Sequence, residues 1–335
     1  DKVGVLDDSR VDVSGTRGGG GILLGGDFRG ANAAVHNAWV TYLAPRAALV
    51  ADATVAGDGG KVIVWSDDTT RAYGSISARS AGPAGSGGII ETSGRRFLDV
   101  AGIRVDAAAA AGGKSGFWLL DPNNVTVLHG TAASDTNIVG TQFLAPASSS
   151  ANSTISDGTL NTAMANFSLV RIQTTSDGAA GVGDIIFDGA TNGALSISKS
   201  AADTFSTTLE VQAHNDIRFR GNVQFETTSA AGTGALALSL NPAFGRASII
   251  EAGADLSLKG QSTPVTVSTG IGFPQDINNF GTVRLIGKAA VDLDPLGYPS
   301  TFTNQPGGVV NVATDSSVGW PFLSNNITQS GVVIN

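Results

Sequence analysis

The stretch "GDGGKVIVWS", residues 57–66, joins a glycine pair to a β-branched run and ends on a tryptophan and a serine. The pattern recurs as "GSGGIIETSG" at 85–94 and "AGGKSGFWLL" at 111–120, and an earlier copy, "GGGGILLGG", surrounds Ile22. Val62, Ile89 and Phe117, which open the three later runs, lie 27 and 28 positions apart. A second series interleaves with the first: "LVADA" at Val50, "SISA" at Ile76 and "IRVDA" at Val105, spaced by 26 and 29. Two strand types sharing one period of this size are the signature of a solenoid, in which a repeat buries its apolar face only by stacking on the next.

Within each run the alternation is that of a strand with one buried face. In "KVIVW" it sends Val62 and Val64 inward and Lys61, Ile63 and Trp65 outward; in "GIRVDA" it sends Ile103 and Val105 inward and Arg104 outward. The glycine pairs read as corners, because glycine takes positive φ without steric cost. Short strands and tight corners, wound so that each strand pairs with its counterpart one coil on, predict a parallel β-helix. A coil of about 25 residues and a rung of about 4.8 Å predict a rod of roughly 60 Å, with open β edges at its ends.

Composition agrees with many short strands. The chain has 335 residues, 45 Gly, 14% charged residues and no Cys, with a formal net charge of -8. Few Lys and Glu disfavour long helices. An acidic surface disfavours nucleic acid, whose affinity for proteins rests on Lys and Arg. The missing Cys removes disulfides, thiolate metal sites and a Cys nucleophile, and suits a protein that must avoid crosslinking before export. No run of 18 apolar residues is present, so no membrane-spanning helix is expected. The first residue, Asp1, follows no basic and apolar leader, so a signal peptide is expected to be removed or to lie upstream.

Residues 1–127 read as regular coils. Residues 128–335 read as their continuation, with irregular loops, in one continuous solenoid. In "SDGTLNTAMANFSLVRIQTTSDG", 156–178, the spacing of Leu160, Ala163, Met164 and Phe167 predicts a short helix near 158–166, capped by Ser156 or Asp157. A strand should follow at Leu169 to Gln173. Ten further alternating runs extend from "GDIIFDG" at 183–189 to "GVVNVA" at 308–313.

"GFWLLDPNNVTV", 116–127, places bulk in a chain of small residues. Phe117 falls 28 positions after Ile89, so the stretch is the next strand of the coil. Pro122 cannot continue a central ladder and Asn123 and Asn124 suit a turn, so the strand should end there. Trp118, Asp121 and Pro122 are therefore expected to form a structural seam, buried on at least one side.

Several strings carry a family resemblance. "GGILLGGDFRG", "VADATVAGDGGKVIVWSDDTTRAYGSISARS", "GGIIETSGRRFLDVAG" and "GKSGFWLLDPNNVTV" resemble a block of the filamentous-haemagglutinin-like exoproteins, large adhesins exported by two-partner (type V) secretion in Gram-negative bacteria. The likeness is dense over 19–127 and weaker to about residue 221, through "LEVQAHNDIRFRG". It implies a right-handed parallel β-helix, an outer-membrane transporter as partner during export, a place at the cell surface, and a role in adhesion, aggregation or biofilm. The family's amino-terminal secretion domain has no counterpart here, so an internal or carboxy-terminal segment is expected.

Candidate chemistry is sparse. His36, His129 and His214 lack the spacing of a zinc site. No Gly-x-Ser-x-Gly elbow occurs. The acids at turns, Asp52, Asp58, Asp184 and Asp188, follow no calcium-loop pattern, and "GAAGVGD" at 178–184 lacks the residues of a phosphate cradle. Polysaccharide-cleaving enzymes also use β-helices, and Asp67 and Asp68 with His129 and Arg171 faintly resemble their motif order. Adjacent strand-end acids should point to opposite sides, however, and read better as a hydrated corner. Sequons occur at Asn124, Asn152, Asn166 and Asn326; some exoproteins of the resembled family are glycosylated at such positions, which marks Asn124 and Asn326. Trp39, Trp65 and Tyr73 are the candidate surface-contact aromatics, for stacking on sugar or a partner, unless a loop or flanking strand buries them. The expectation is a structural and adhesive module with host-cell, polysaccharide or self contacts, no active site and no cofactor. A β-helical polysaccharide-active enzyme and a self-assembling fibre or layer are the alternatives.

Overall fold

The computed structural model describes residues 1–130, 152–175, 183–269, 275–293, 300–314 and 327–329. It is a parallel β-solenoid, all-β apart from one short α-helix and one 3-10 turn among the described residues. The chain divides into two compact units, residues 1–125 with 130–177 and residues 126–129 with 178–335.

In the first unit the first four coils carry three short strands each and the last carries two. One sheet stacks β1 (Lys2–Val5), β4 (Val40–Leu43), β7 (Thr69–Ala72), β10 (Phe97–Asp99) and β14 (Ser153–Ser156). A second stacks β2 (Arg10–Asp12), β5 (Ala48–Val50), β8 (Ser75–Ser77) and β11 (Arg104–Asp106). The third stacks β3 (Gly21–Leu24), β6 (Lys61–Ser66), β9 (Ile89–Gly94), β12 (Gly116–Leu120) and β15 (Phe167–Gln173), and carries the repeated glycine-led runs.

Registers refine the repeat by one residue. Ile89 pairs with Phe117 as the spacing predicts, but its partner on the other side is Lys61, so both steps are 28. In the second sheet Ile76 pairs with Val105 and with Leu49 rather than Val50. A one-residue slip turns every side chain to the opposite face, so burial decides the register. The inward column of the third sheet is Ile22, Val62, Ile90, Trp118 and Val170, all buried.

The pairs Gly59–Gly60 and Gly87–Gly88 serve a different purpose from the one expected, whereas Gly112 does take positive φ, at +87°. Gly59 and Gly87 are not in the left-handed region. A Cβ on either would stand 1.8 Å from the carbonyl oxygen of Ala78 or Ala107. The next glycines, Gly60 and Gly88, donate their amides to Ala51 and Ala78 at 2.8 Å. The corner is built by backbone passing over backbone, which only a residue without a side chain permits.

The helix α1 spans Asp157–Met164, slightly earlier than predicted. Ser156 is the cap, accepting from the Thr159 amide at 3.1 Å. Leu160, Ala163 and Met164 are buried, whereas Phe167 already belongs to β15.

The second unit contains residues 126–129 of the segment around β13 (Val125–Leu128), then β16 (Ile185–Gly189), β17 (Leu195–Lys199), β18 (Thr207–Ala213), β19 (Ile217–Thr227) and β20 (Leu236–Pro242). It continues with β21 (Ala247–Ile250), β22 (Asp255–Thr269), β23 (Asp276–Asn279), β24 (Thr282–Asp292), β25 (Thr301–Asn304), β26 (Val309–Thr314) and β27 (Ile327–Gln329). β19 turns between two sheets at Gly221, with φ +61°: Ile217–Phe219 pair with β21 and Asn222–Glu226 with β22. Phe187 stacks on Phe219 at 5.2 Å and meets Phe225 edge-on at 5.6 Å. The buried Asn279 and Asn304 join one coil to the next at 2.7 Å.

Candidate functional site

The outer face of the third sheet in the first unit carries the most unusual chemistry among the described residues. Register places Leu23, Ile63, Glu91, Leu119 and Arg171 in one outward column. Trp65 and Ser93 head the next. Outward side chains of a solenoid normally meet water, yet Ile63, Glu91 and Leu119 are fully buried and Trp65 is 4% exposed.

Part of the cover is a strap, residues 25–38, that leaves β3 and returns before β4. It closes on itself where the Ala38 amide donates to the Gly25 carbonyl at 2.8 Å. Gly26 and Gly30 lie flat against the indole of Trp65, where a Cβ on either would approach ring atoms to 2.5 Å. Between them a short turn, Phe28–Gly30, holds Arg29 in the left-handed region at φ 56°. That conformation aims the Arg29 amide at the Glu91 carboxylate, with contacts of 2.9 and 3.2 Å. The Arg29 guanidinium reaches Asp121 at 3.3 Å. Asp27 accepts from Lys61 of β6 at 2.8 Å, and Asn37 donates to the Gly30 carbonyl and to Asp67.

Two buried carboxylates thus lie beneath one strap. Burial pushes Glu91 up to about 7; the Arg29 amide opposes the shift and Asp121 adds to it. Burial also raises Asp121, against the pull of Arg29 and Arg171. Asp121 is 2% exposed, and its Oδ1 has no hydrogen-bond partner. Glu91 escaped the reading of the sequence, because outward alternation makes a glutamate look solvated; its one signal was a carboxylate between apolar neighbours in the column.

In "GFWLLDPNNVTV" the expected burial is seen at Trp118, Asp121 and Pro122. Trp118 is fully buried, donates Nε1–H to Thr92 Oγ1 at 3.1 Å and lies 6.0 Å from the Phe167 ring. β12 ends at Leu120, before Asp121 and Pro122. Asn124 is half-buried; Asn326 lies outside the described residues.

The aromatic candidates separate. Trp39 is 50% exposed and available for contact. Trp65 and Tyr73, each 4% exposed, are not surface contacts. The strap covers Trp65. Tyr73 meets Tyr42 edge-on at 5.9 Å and donates to Asp99 at 2.7 Å. Burial and the neighbouring Asp99 charge raise the Tyr73 hydroxyl far above its usual range.

Asp67 and Asp68 are committed to different partners. Asp68 is buried and accepts from Arg96 at 2.6 and 3.0 Å, while Asp67 lies 3.5 Å from Arg95 and accepts from Asn37. Arg171 sits over the Phe117 ring at 5.2 Å. His36, His129 and His214 are exposed, and among the described residues no three His, Asp or Glu side chains are grouped to hold a metal ion.

Instead, polar partners recur one coil apart. Ser77 and Arg79 clasp Asp52, Arg96 clasps Asp68, and the Ser86 amide donates to Asp58, over separations of 25 to 28 residues. The second unit repeats the device, with Arg284 on Asp255 at 2.7 Å across 29 residues and Arg220 on Glu251 at 2.9 Å across 31. No protein family model and no curated protein matches the chain.

Proposed function

We propose that the chain is a structural and adhesive module of a large secreted exoprotein of the filamentous-haemagglutinin-like kind, displayed at a Gram-negative cell surface after export through an outer-membrane transporter. One observation carries this reading. Among the described residues, charged and polar groups of the coils bond repeatedly to the next coil, as in Asp52–Arg79, Asp68–Arg96 and Asp255–Arg284. Such pairing stiffens a stack and leaves outer side chains such as Trp39 for contact. The resemblance of residues 19–127 to the exoproteins supplies the secretion and cell-surface setting.

The test is adhesion. Beads coated with the purified chain should adhere to epithelial cells or immobilised polysaccharide above the level of beads coated with an unrelated β-solenoid, and Trp39→Ala should reduce adhesion with unchanged melting. Release of reducing ends from acidic polysaccharides would replace this reading with the enzyme. Long fibres in electron micrographs, without adhesion, would replace it with the scaffold.

A further inference from the structure

The strap over Trp65 is held by groups whose charges do not balance locally. Glu91 faces the Arg29 amide from the strap, Ser93 from its own strand and Asp121 from the end of β12. Asp121 faces the Arg29 guanidinium from the strap and, at longer range, Arg171 from β15. The other charges nearby are paired elsewhere: Lys61 with Asp27, Asp67 with Arg95 and Asn37, and Arg171 over the Phe117 ring. A partly exposed guanidinium, one amide and Ser93, with Arg171 at longer range, must therefore answer two buried carboxylates, one of which has an oxygen without a partner.

We propose that residues 25–38 form a pH-sensitive strap, closed over Trp65 while Glu91 carries a proton and released as Glu91 ionises beside Asp121. The geometry supplies each part. The strap touches the sheet through Gly26 and Gly30 on the indole, through Arg29 on the two carboxylates, and through Asp27 on Lys61 and Asn37 on Asp67. Arg29 keeps a left-handed backbone that is uncommon for a residue with a Cβ, so loss of its contacts also relieves that conformation. Its two ends meet at Gly25 and Ala38, so it can lift as a unit while β3 and β4 stay in their sheets. Release exposes the Trp65 indole and an acidic pair on the outer face of the coil. This device goes beyond the adhesive reading and does not depend on it.

The direction follows from linkage. Glu91 titrates near 7 when covered and near the ordinary 4.5 when solvated, so the open form gains as pH rises between these values and the gain levels off above them. Between pH 5 and pH 8 the opening equilibrium should rise on the order of tens of fold.

Hydrogen exchange on the full chain, corrected for intrinsic chemical exchange, measures this. Opening of residues 25–38 should rise by that factor from pH 5 to pH 8, while β12 and β15 hold their protection. Glu91→Gln should flatten the dependence. Asp121→Asn should loosen the strap at every pH yet shrink its pH dependence, and it serves as the test if Glu91→Gln fails to fold. The proposal is overturned by a strap whose opening is independent of pH, by Glu91→Gln or Asp121→Asn retaining the wild-type dependence, or by β12 losing protection in parallel with the strap.

Discussion

At the residue scale, Trp118 shows how a side chain suggestive of a sugar platform becomes core. Its indole fills the inward column between Ile90 and Val170, and its one polar atom is satisfied by Thr92. Trp118→Ala should cost about 3 to 5 kcal/mol, read as a lowered denaturant midpoint. A variant that melts like the wild type but loses adhesion would make the residue a site instead. Gly87 makes the complementary point: its added methyl would sit inside the Ala107 carbonyl, 1.8 Å away, with backbone that cannot step aside. Gly87→Ala should cost more than Gly112→Ala, where φ is +87° but the nearest atom is 3.8 Å away. Comparing the two melting temperatures separates close approach from backbone conformation as the reason for the glycines.

At the element scale, α1 and the strap are both local departures from the coil, but only the helix announces itself. Its start is written in a Ser that caps and in apolar residues at helical spacing. Ser156→Ala should remove about 1 kcal/mol, with the loss seen in chemical denaturation. The strap has no strand or helix period: Gly25, Gly26, Asp27, Gly30, Asn32 and Asn37 interrupt Phe28, Val35 and scattered alanines. Its closure depends on Trp65 and Glu91, one and two coils further along, at separations no local pattern reports. That is why Trp65 was legible as outward and not as buried.

At the scale of the whole molecule, stability should depend on pH in a way that a surface rich in ion pairs would not show. Glu91, Asp99 and Asp121 are all raised, chiefly by burial. A raised carboxyl contributes fully below its unfolded value and loses that contribution as pH rises through its folded value. For Glu91 the window is about 4.5 to 7, and the loss amounts to roughly 3 kcal/mol at most. Asp52 acts in the opposite sense: burial alone would raise it, but hydrogen bonds from Ser77 and Arg79 outweigh that and hold it low, so its contribution disappears in acid. The stability of the first unit should therefore peak in mild acid and decline toward pH 8. Urea midpoints measured from pH 4 to pH 8 check this, and a midpoint that climbs through neutrality would contradict it.

By itself the sequence determined the parallel solenoid, because stacked coils must repeat both their apolar parity and their corners, and these survive over residues 50–120 as runs spaced by 26 to 29 positions. It also determined that a short helix lies near 158–166, its start to within a residue, and where the strand of Trp118 stops, since caps and prolines act on their immediate neighbours. Only the tertiary structure decided the register to the residue, the true reason for the glycine pairs, and the burial of Trp65, Tyr73 and Glu91. Each of these rests on contact between segments separated by twenty or more residues, where packing and desolvation act through space and leave no periodic trace in the chain.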